Sequence, residues 1–218
     1  MKLTKFPQSC ALLETNGGTK ILVDPGGIDF DEKFLETWQT ADAIFVTHKH
    51  SDHFNKEFLS QTNLPIYSTS EVQKTYPEIK INIIKEGDFI KIGDIQIEVV
   101  HAIHGFLPKM KTGGQVLENV GFIISADGVS IYITSDTICF NNDYTADYLF
   151  APVTGHGIAM SAYETSFYVG MVGAKKLIVC HLDNTKLYPK NLEYLDEQMK
   201  AHGVDYVILN YGESFELI

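Results

Sequence analysis

The stretch that most constrains this chain is Ala43-Ile44-Phe45-Val46-Thr47-His48-Lys49-His50-Ser51-Asp52-His53-Phe54, an apolar run that stops abruptly at three histidines and a carboxylate. A short β-branched and aromatic run reads as a buried strand, so the polar cluster falls where that strand leaves the core. Loops at strand ends are where binding and catalytic groups are built. Between them, His48, His50, Asp52 and His53 supply three imidazoles and one hard carboxylate, a donor mix for zinc, iron or manganese and not for calcium. His48 and His50 suit one ion, while Asp52 and His53, directed elsewhere by a turn, suit a second. A plain solvated loop accounts for a lone histidine but poorly for an H-x-H-x-D-H string capping an apolar strand.

This string resembles the signature of the metallo-β-lactamase-fold superfamily, and the resemblance continues along the chain. That family adds a histidine after a later strand, an aspartate at the next strand end and a last histidine near the C-terminus. Here Ile97-Glu98-Val99-Val100-His101-Ala102-Ile103-His104-Gly105, Val129-Ser130-Ile131-Tyr132-Ile133-Thr134-Ser135-Asp136-Thr137 and Leu177-Ile178-Val179-Cys180-His181 follow in that order. The resemblance implies that His48, His50 and His104 hold one ion, that Asp52, His53 and His181 hold a second, and that Asp136 bridges them. His101 competes with His104 for the third position. His-Gly after the strand matches the family pattern, whereas His101 lies within the strand run, where a histidine is a supporting donor or core filler.

The implied fold is α/β, a metallo-β-lactamase-type four-layer αβ/βα sandwich of two mostly antiparallel sheets flanked by helices, with residues 1–218 as a single hydrolase domain. The implied cofactors are two divalent transition-metal ions, zinc first, with manganese or iron as alternatives. The implied activity is metal-dependent hydrolysis, in which metal-bound hydroxide attacks a small ester, lactone or phosphoester and Asp52 orients the nucleophile. Within the superfamily the chain is most similar to the small prokaryotic, ascorbate-phosphate lactonase-like branch. The segment from Pro152 to Glu164 resembles a loop of that branch, which makes His156 a catalytic candidate as donor to a substrate oxyanion or phosphate. Many members of the branch carry a histidine where this chain has Gln8. Asp24 belongs to a turn similar to the family's D-P-G turn, where the aspartate supports the metal loop; as a turn former it needs no metal. A redox class with a di-iron site carries glutamate in place of His50, which disfavours that chemistry here. A metal-dependent nuclease or phosphodiesterase, and a metal-binding protein without turnover, are the alternatives.

Charge separates these alternatives. With 17 basic and 28 acidic residues among 218, the net charge of −11 repels phosphate backbones, and no Lys/Arg cluster offsets it. A small anionic substrate remains admissible if the metals, His156 and the Lys109/Lys111 loop form one local positive pocket. The stretch from Gly105 to Asn119, directly after His104, reads as a loop over the site. Cys10, Cys139 and Cys180 lack C-x-x-C spacing, so neither a disulfide framework nor a structural zinc site is indicated. No signal segment and no apolar stretch of about 18 residues is present, so a cytoplasmic protein without a membrane partner is expected, and a homo-oligomer is compatible with the sequence.

Local patterns predict the remaining elements. Strands are expected at Lys2 to Phe6, Cys10 to Glu14 and Thr19 to Val23, and a helix capped by Asp29 runs to Trp38. Ser68-x-x-Glu71 reads as a capping box. Ile81 to Ile84, Phe89 to Ile92 and Ile95 to Val100 read as an antiparallel meander, and Val120 to Ser125 with Val129 to Thr134 as a hairpin. Ser161-x-x-Glu164 opens a helix to about Gly173, and Pro189 to His202 forms the last one. Tyr148 to Ala151, Leu177 to Cys180, Val204 to Leu209 and Ser214 to Leu217 complete the strands.

Overall fold

From Ala43 to Val46 every side chain is buried, yet alternate residues enter different cores: Ala43 and Phe45 face one cluster, Ile44 and Val46 another. A strand has a side-chain period of two, so an unbroken apolar run requires packing on both faces. The same division holds elsewhere, and it layers the molecule. In the computed structural model, which describes residues 1–106, 114–154, 157–182 and 190–218, one core lies between two sheets and one lies outside each sheet.

The first sheet contains β1 (Lys2–Lys5), β2 (Ala11–Glu14), β3 (Lys20–Val23), β4 (Ala43–Phe45), β5 (Ile66–Ser68) and β6 (Asn82–Ile83). The second contains β7 (Phe89–Ile92), β8 (Ile95–His101), β9 (Val120–Ala126), β10 (Val129–Ile133), β11 (Tyr148–Pro152), β12 (Lys176–Cys180) and β13 (Tyr206–Ile208). The last strand, β14 (Ser214–Glu216), returns to the first sheet beside β1, giving the orders β14-β1-β2-β3-β4-β5-β6 and β13-β12-β11-β10-β9-β8-β7. Helices α1 (Leu35–Trp38), α2 (Lys56–Gln61) and α3 (Ser70–Thr75) connect strands of the first sheet, and α4 (Ala162–Val172) and α5 (Leu192–Ala201) connect strands of the second. Trp38, Phe58 and Val72 seal the outer face of the first sheet, and Tyr168, Leu195 and Met199 that of the second. The four-layer α/β sandwich is therefore as expected. No helix among the described residues is long and apolar enough to cross a membrane.

Several local expectations are corrected. The sheets are not mostly antiparallel: β3-β4-β5-β6 and β10-β11-β12-β13 run parallel, so each sheet is half of each kind. Helical crossovers explain five of the six parallel pairs, because a helix carries the chain back to start the next strand in the same direction, and an irregular stretch does the same between β10 and β11. The meander also dissolves. β6 pairs parallel with β5, whereas β7 and β8 form a hairpin in the other sheet. Asp29 is not the cap before Trp38; it sits at φ 56° and accepts from Gln8 Nε2, and Asp31 caps the 3-10 turn that leads into α1. Thr69, not Ser68, caps α3, because Ser68 is a strand residue whose hydroxyl donates to the Val46 carbonyl. The Ser161/Glu164 capping box is present with both of its hydrogen bonds, and Gly173 ends α4 in the left-handed conformation.

Phe45 occupies the centre of the inter-sheet core, stacked on Tyr67 at 4.8 Å and edge-on to Phe122 at 5.5 Å. Phe45→Ala is expected to destabilise the protein by about 3–5 kcal/mol, as a lower urea midpoint with an unchanged slope.

Candidate metal centre

Because β3, β4, β8, β10 and β12 end at the same rim of the sandwich, their C-terminal loops meet there. Asp24 follows β3, the His48–His53 loop follows β4, His104 follows β8, Asp136 follows β10 and His181 follows β12. Side-chain donor atoms of His48, His50 and His104 lie within 4.8 Å of one another, as do those of Asp52, His53, Asp136 and His181. All seven residues singled out from the sequence as ligands thus converge, in two sets. His101 joins neither; it is half exposed, 3.4 Å from Glu86 and edge-on to Phe140. His156, Lys109 and Lys111 lie outside the described residues.

The rings are held by the nitrogens that face away from the cluster. His53 Nδ1 pairs with Asp24 Oδ2 at 2.8 Å, and His104 Nδ1 with the Gly105 carbonyl at 2.8 Å. A proton on Nδ1 leaves the Nε2 lone pair facing inward, the orientation a metal requires. His50 is reversed: its Nε2 meets the Gly114 carbonyl at 2.7 Å, which turns Nδ1 toward the cluster, 3.3 Å from His48 Nε2. In the second set, His181 Nε2 lies 3.0 Å from Asp52 Oδ2 and 3.3 Å from Asp136 Oδ2. Among the described residues His104 Nε2 and Asp136 Oδ1 are buried with no hydrogen-bond partner, and His53 Nε2, also without a hydrogen bond, has only the carboxylates of Asp136 and Asp52 near it, at 3.4 and 3.6 Å. Buried polar atoms rarely lack a hydrogen bond, and two imidazole lone pairs with one carboxylate oxygen suit a transition-metal ion.

Asp24 is the support that holds the loop in place. Wholly buried, it accepts from the Thr47 amide at 2.7 Å, the Thr47 hydroxyl at 2.8 Å and His53. The turn beneath it tolerates only glycine at position 26, where a Cβ would overlap the Asp52 carbonyl. Asp24, Ser135 and His181 all adopt positive φ, at 48°, 64° and 46°. Such backbone is costly for residues other than glycine and persists where surroundings enforce it, commonly at functional sites. The expected role of Asp24 beneath the loop therefore has a structural basis.

Two further contributors, Asn119 and Glu71, gave no sign of this role in the sequence. Asn119 donates to the Asp136 carbonyl and accepts from the Ser135 hydroxyl, at 2.9 and 2.8 Å. Glu71, expected as a helix-capping residue, instead pairs with Lys49 at 2.7 Å and accepts the amides of Leu117 and Glu118, each at 2.9 Å. Lys49 stands between two of the converging histidines, so Glu71 ties their loop to the segment that carries the Gly114 carbonyl.

Without a cation the cluster is electrostatically lopsided. Burial keeps His48 and His104 neutral, holding both below the ordinary imidazole range. Burial also opposes charge on His53, but Asp136, Asp24 and Asp52 together outweigh it and hold the imidazolium well above its usual range. Asp52 and Asp136 are depressed despite their burial, by His53 and His181. In the metal-free protein the His53 contribution to stability is complete below about pH 6.5 and is lost as pH rises through the native value; that of the two carboxylates is complete above about pH 4 and is lost on acidification. Because His48 and His104 act in the opposite sense, the His53 share is read by difference: the Tm advantage of metal-free wild type over Asp24→Asn is expected to shrink as pH rises above about 6.5. Thermal melts of both proteins across that range check it.

Comparison with known proteins agrees with this geometry. The model of a beta-lactamase superfamily domain matches residues 2–181, a span that ends on the last histidine of the cluster. A UPF0173 metal-dependent hydrolase of Archaeoglobus fulgidus is 30% identical over 233 aligned residues, covering 99% of each chain. Igni18, a metallo hydrolase from Ignicoccus hospitalis, has a TM-score of 0.77 at 21% identity, over 100% of this chain and 99% of its own. The isothiocyanate hydrolase from Delia radicum gut bacteria has a TM-score of 0.77 at 18% identity, with coverage of 100% and 99%. These two likenesses are of fold. The chain belongs to the beta-lactamase superfamily and, within it, to the UPF0173 metal-dependent hydrolases.

Proposed function

We propose that the two donor sets hold two divalent transition-metal ions, zinc before manganese or iron, and that the protein hydrolyses a small ester, lactone or phosphoester in the cytoplasm. His48, His50 and His104 are ligands of one ion, Asp52, His53 and His181 of the other, and Asp136 is shared. The observation that carries this reading is the set of buried atoms His53 Nε2, His104 Nε2 and Asp136 Oδ1, none with a hydrogen-bond partner among the described residues, in clusters whose donor atoms lie within 4.8 Å of one another. When bound, such ions supply Lewis-acid charge and acidify water at neutral pH.

The side chains divide the remaining work. Asp136 is enclosed, whereas the Asp52 side chain retains 17% exposure. Asp52 is therefore the carboxylate that can meet incoming water and hold its proton, and Asp136 is the fixed bridge. Asp24 positions His53 and holds its Nδ1 proton. Residues 1–218 act as one domain. The net charge of −11 supports a small molecule over a nucleic acid, whose backbone needs an extended basic track.

Elemental analysis after reconstitution is expected to give about two ions per chain, the number a pair of separate donor sets supports. Asp136→Ala should lose at least one ion and most activity on a panel of lactones, phosphodiesters, thioesters and isothiocyanates, while His101→Ala keeps both. One ion or none in the wild type, or metal loss in His101→Ala, refutes the assignment. Asp24→Asn is expected to weaken metal affinity by about 10–100-fold, measured by chelator competition.

A further inference from the structure

A cavity of about 190 Å³ adjoins the second donor set, lined by Lys5, Gln8, His181, Lys190, Asn210 and Tyr211 among others. Lys5 is out of character for its position. By the strand period it shares the inward face of Leu3, and it is 3% exposed. Its ammonium donates to the Phe6 carbonyl and, at 2.6 Å, to the Gln8 carbonyl, and it lies 5.2 Å from the Tyr211 ring. Its charged-state neighbours are the thiols of Cys180 and Cys10, and among the described residues no carboxylate pairs with it. Burial lowers its pKa only to about 8, so it is a cation at neutral pH.

A buried cation without a counter-charge is costly, and the usual resolution is a partner of opposite sign. The described lining of the cavity places no aspartate or glutamate beside Lys5. In a chain of net charge −11, a buried ammonium beside an open cavity is a local site of positive charge, which attracts anions. The cavity is also physically joined to the donor cluster. His181 belongs to both, and the Gln8 carbonyl that accepts from Lys5 also accepts from the His181 amide, at 3.2 Å.

We propose that this cavity is the subsite for an anionic arm of the substrate, a carboxylate or phosphate that pairs with Lys5 while the scissile bond lies at the donor cluster. This rests on the hydrolase reading above and adds the substrate class: small esters or lactones with an acidic group at one end. Lys5 is then a specificity-determining residue, and Lys190 stands at the exposed rim of the cavity.

The test is calorimetric titration of metal-loaded protein with acetate, glutarate and 4-phosphonobutyrate. Acetate reports the donor cluster alone, and the two-headed probes report cluster and cavity together. Both two-headed probes, or the one whose second group matches the natural arm, are expected to bind at least tenfold more tightly than acetate. Lys5→Met should reduce that advantage to less than twofold with metal content unchanged; should Lys5→Met not fold, Lys190→Glu is expected to cut the advantage at least threefold. No advantage in the wild type, or an advantage that survives Lys5→Met (Lys190→Glu where Lys5→Met is unfolded), overturns the subsite. Since binding is read without turnover, a protein that shows the advantage but cleaves no ester refutes the hydrolytic reading alone, and one that cleaves neutral esters without the advantage refutes the subsite alone.

Discussion

Everything at the rim of this sandwich depends on one buried carboxylate. Asp24 has no exposed surface, and it is stabilised by hydrogen bonds from the Thr47 amide, the Thr47 hydroxyl and His53. Those bonds connect the end of β3 to the loop after β4, and they fix the ring of a histidine that faces the other donors. Charge-assisted hydrogen bonds of this kind are strong, and breaking one leaves a buried group unsatisfied, so the loop has little freedom to rearrange. The preorganisation lies in the protein before any ion arrives.

The cost of that preorganisation is visible beside it. Five histidines and two carboxylates of opposing preference are confined together, and among the described residues some of their atoms have no hydrogen-bond partner. A protein rarely retains such an arrangement for stability alone, because an apolar packing would do better. The positive φ of Ser135 and His181 carries the same message from the backbone. Stability is supplied elsewhere, by three apolar cores that sandwich the two sheets and let the rim remain strained.

Glu71 shows how the rim is coupled to its surroundings. Through Lys49 and the amides of Leu117 and Glu118 it joins the histidine loop to the stretch that follows β8. His50 and the Gly114 carbonyl make the reciprocal contact. The histidine loop and the segment from Gly114 to Glu118 are thereby held as one unit.

The first four donors were legible in the sequence because their information is local: His48, His50, Asp52 and His53 fall within six residues where an apolar strand ends, and such a strand must release its next polar side chains at the rim. His104, Asp136 and His181 joined them only through the family resemblance, since nothing near them names their partners. The helix starting at Ser161 was legible locally too, since a capping box closes within four residues. What depends on distant partners was not. Nothing within Asn82–Ile83 says that it pairs with β5 and not with β7, and nothing near Glu71 says that its carboxylate serves Lys49 and two remote amides. Lys5 reads in the sequence as an ordinary strand residue. Only the packing of β1 against the second sheet, and the approach of Gln8 and His181 around its ammonium, turned it into a buried cation beside a cavity, because burial belongs to the assembled layers and not to any one strand.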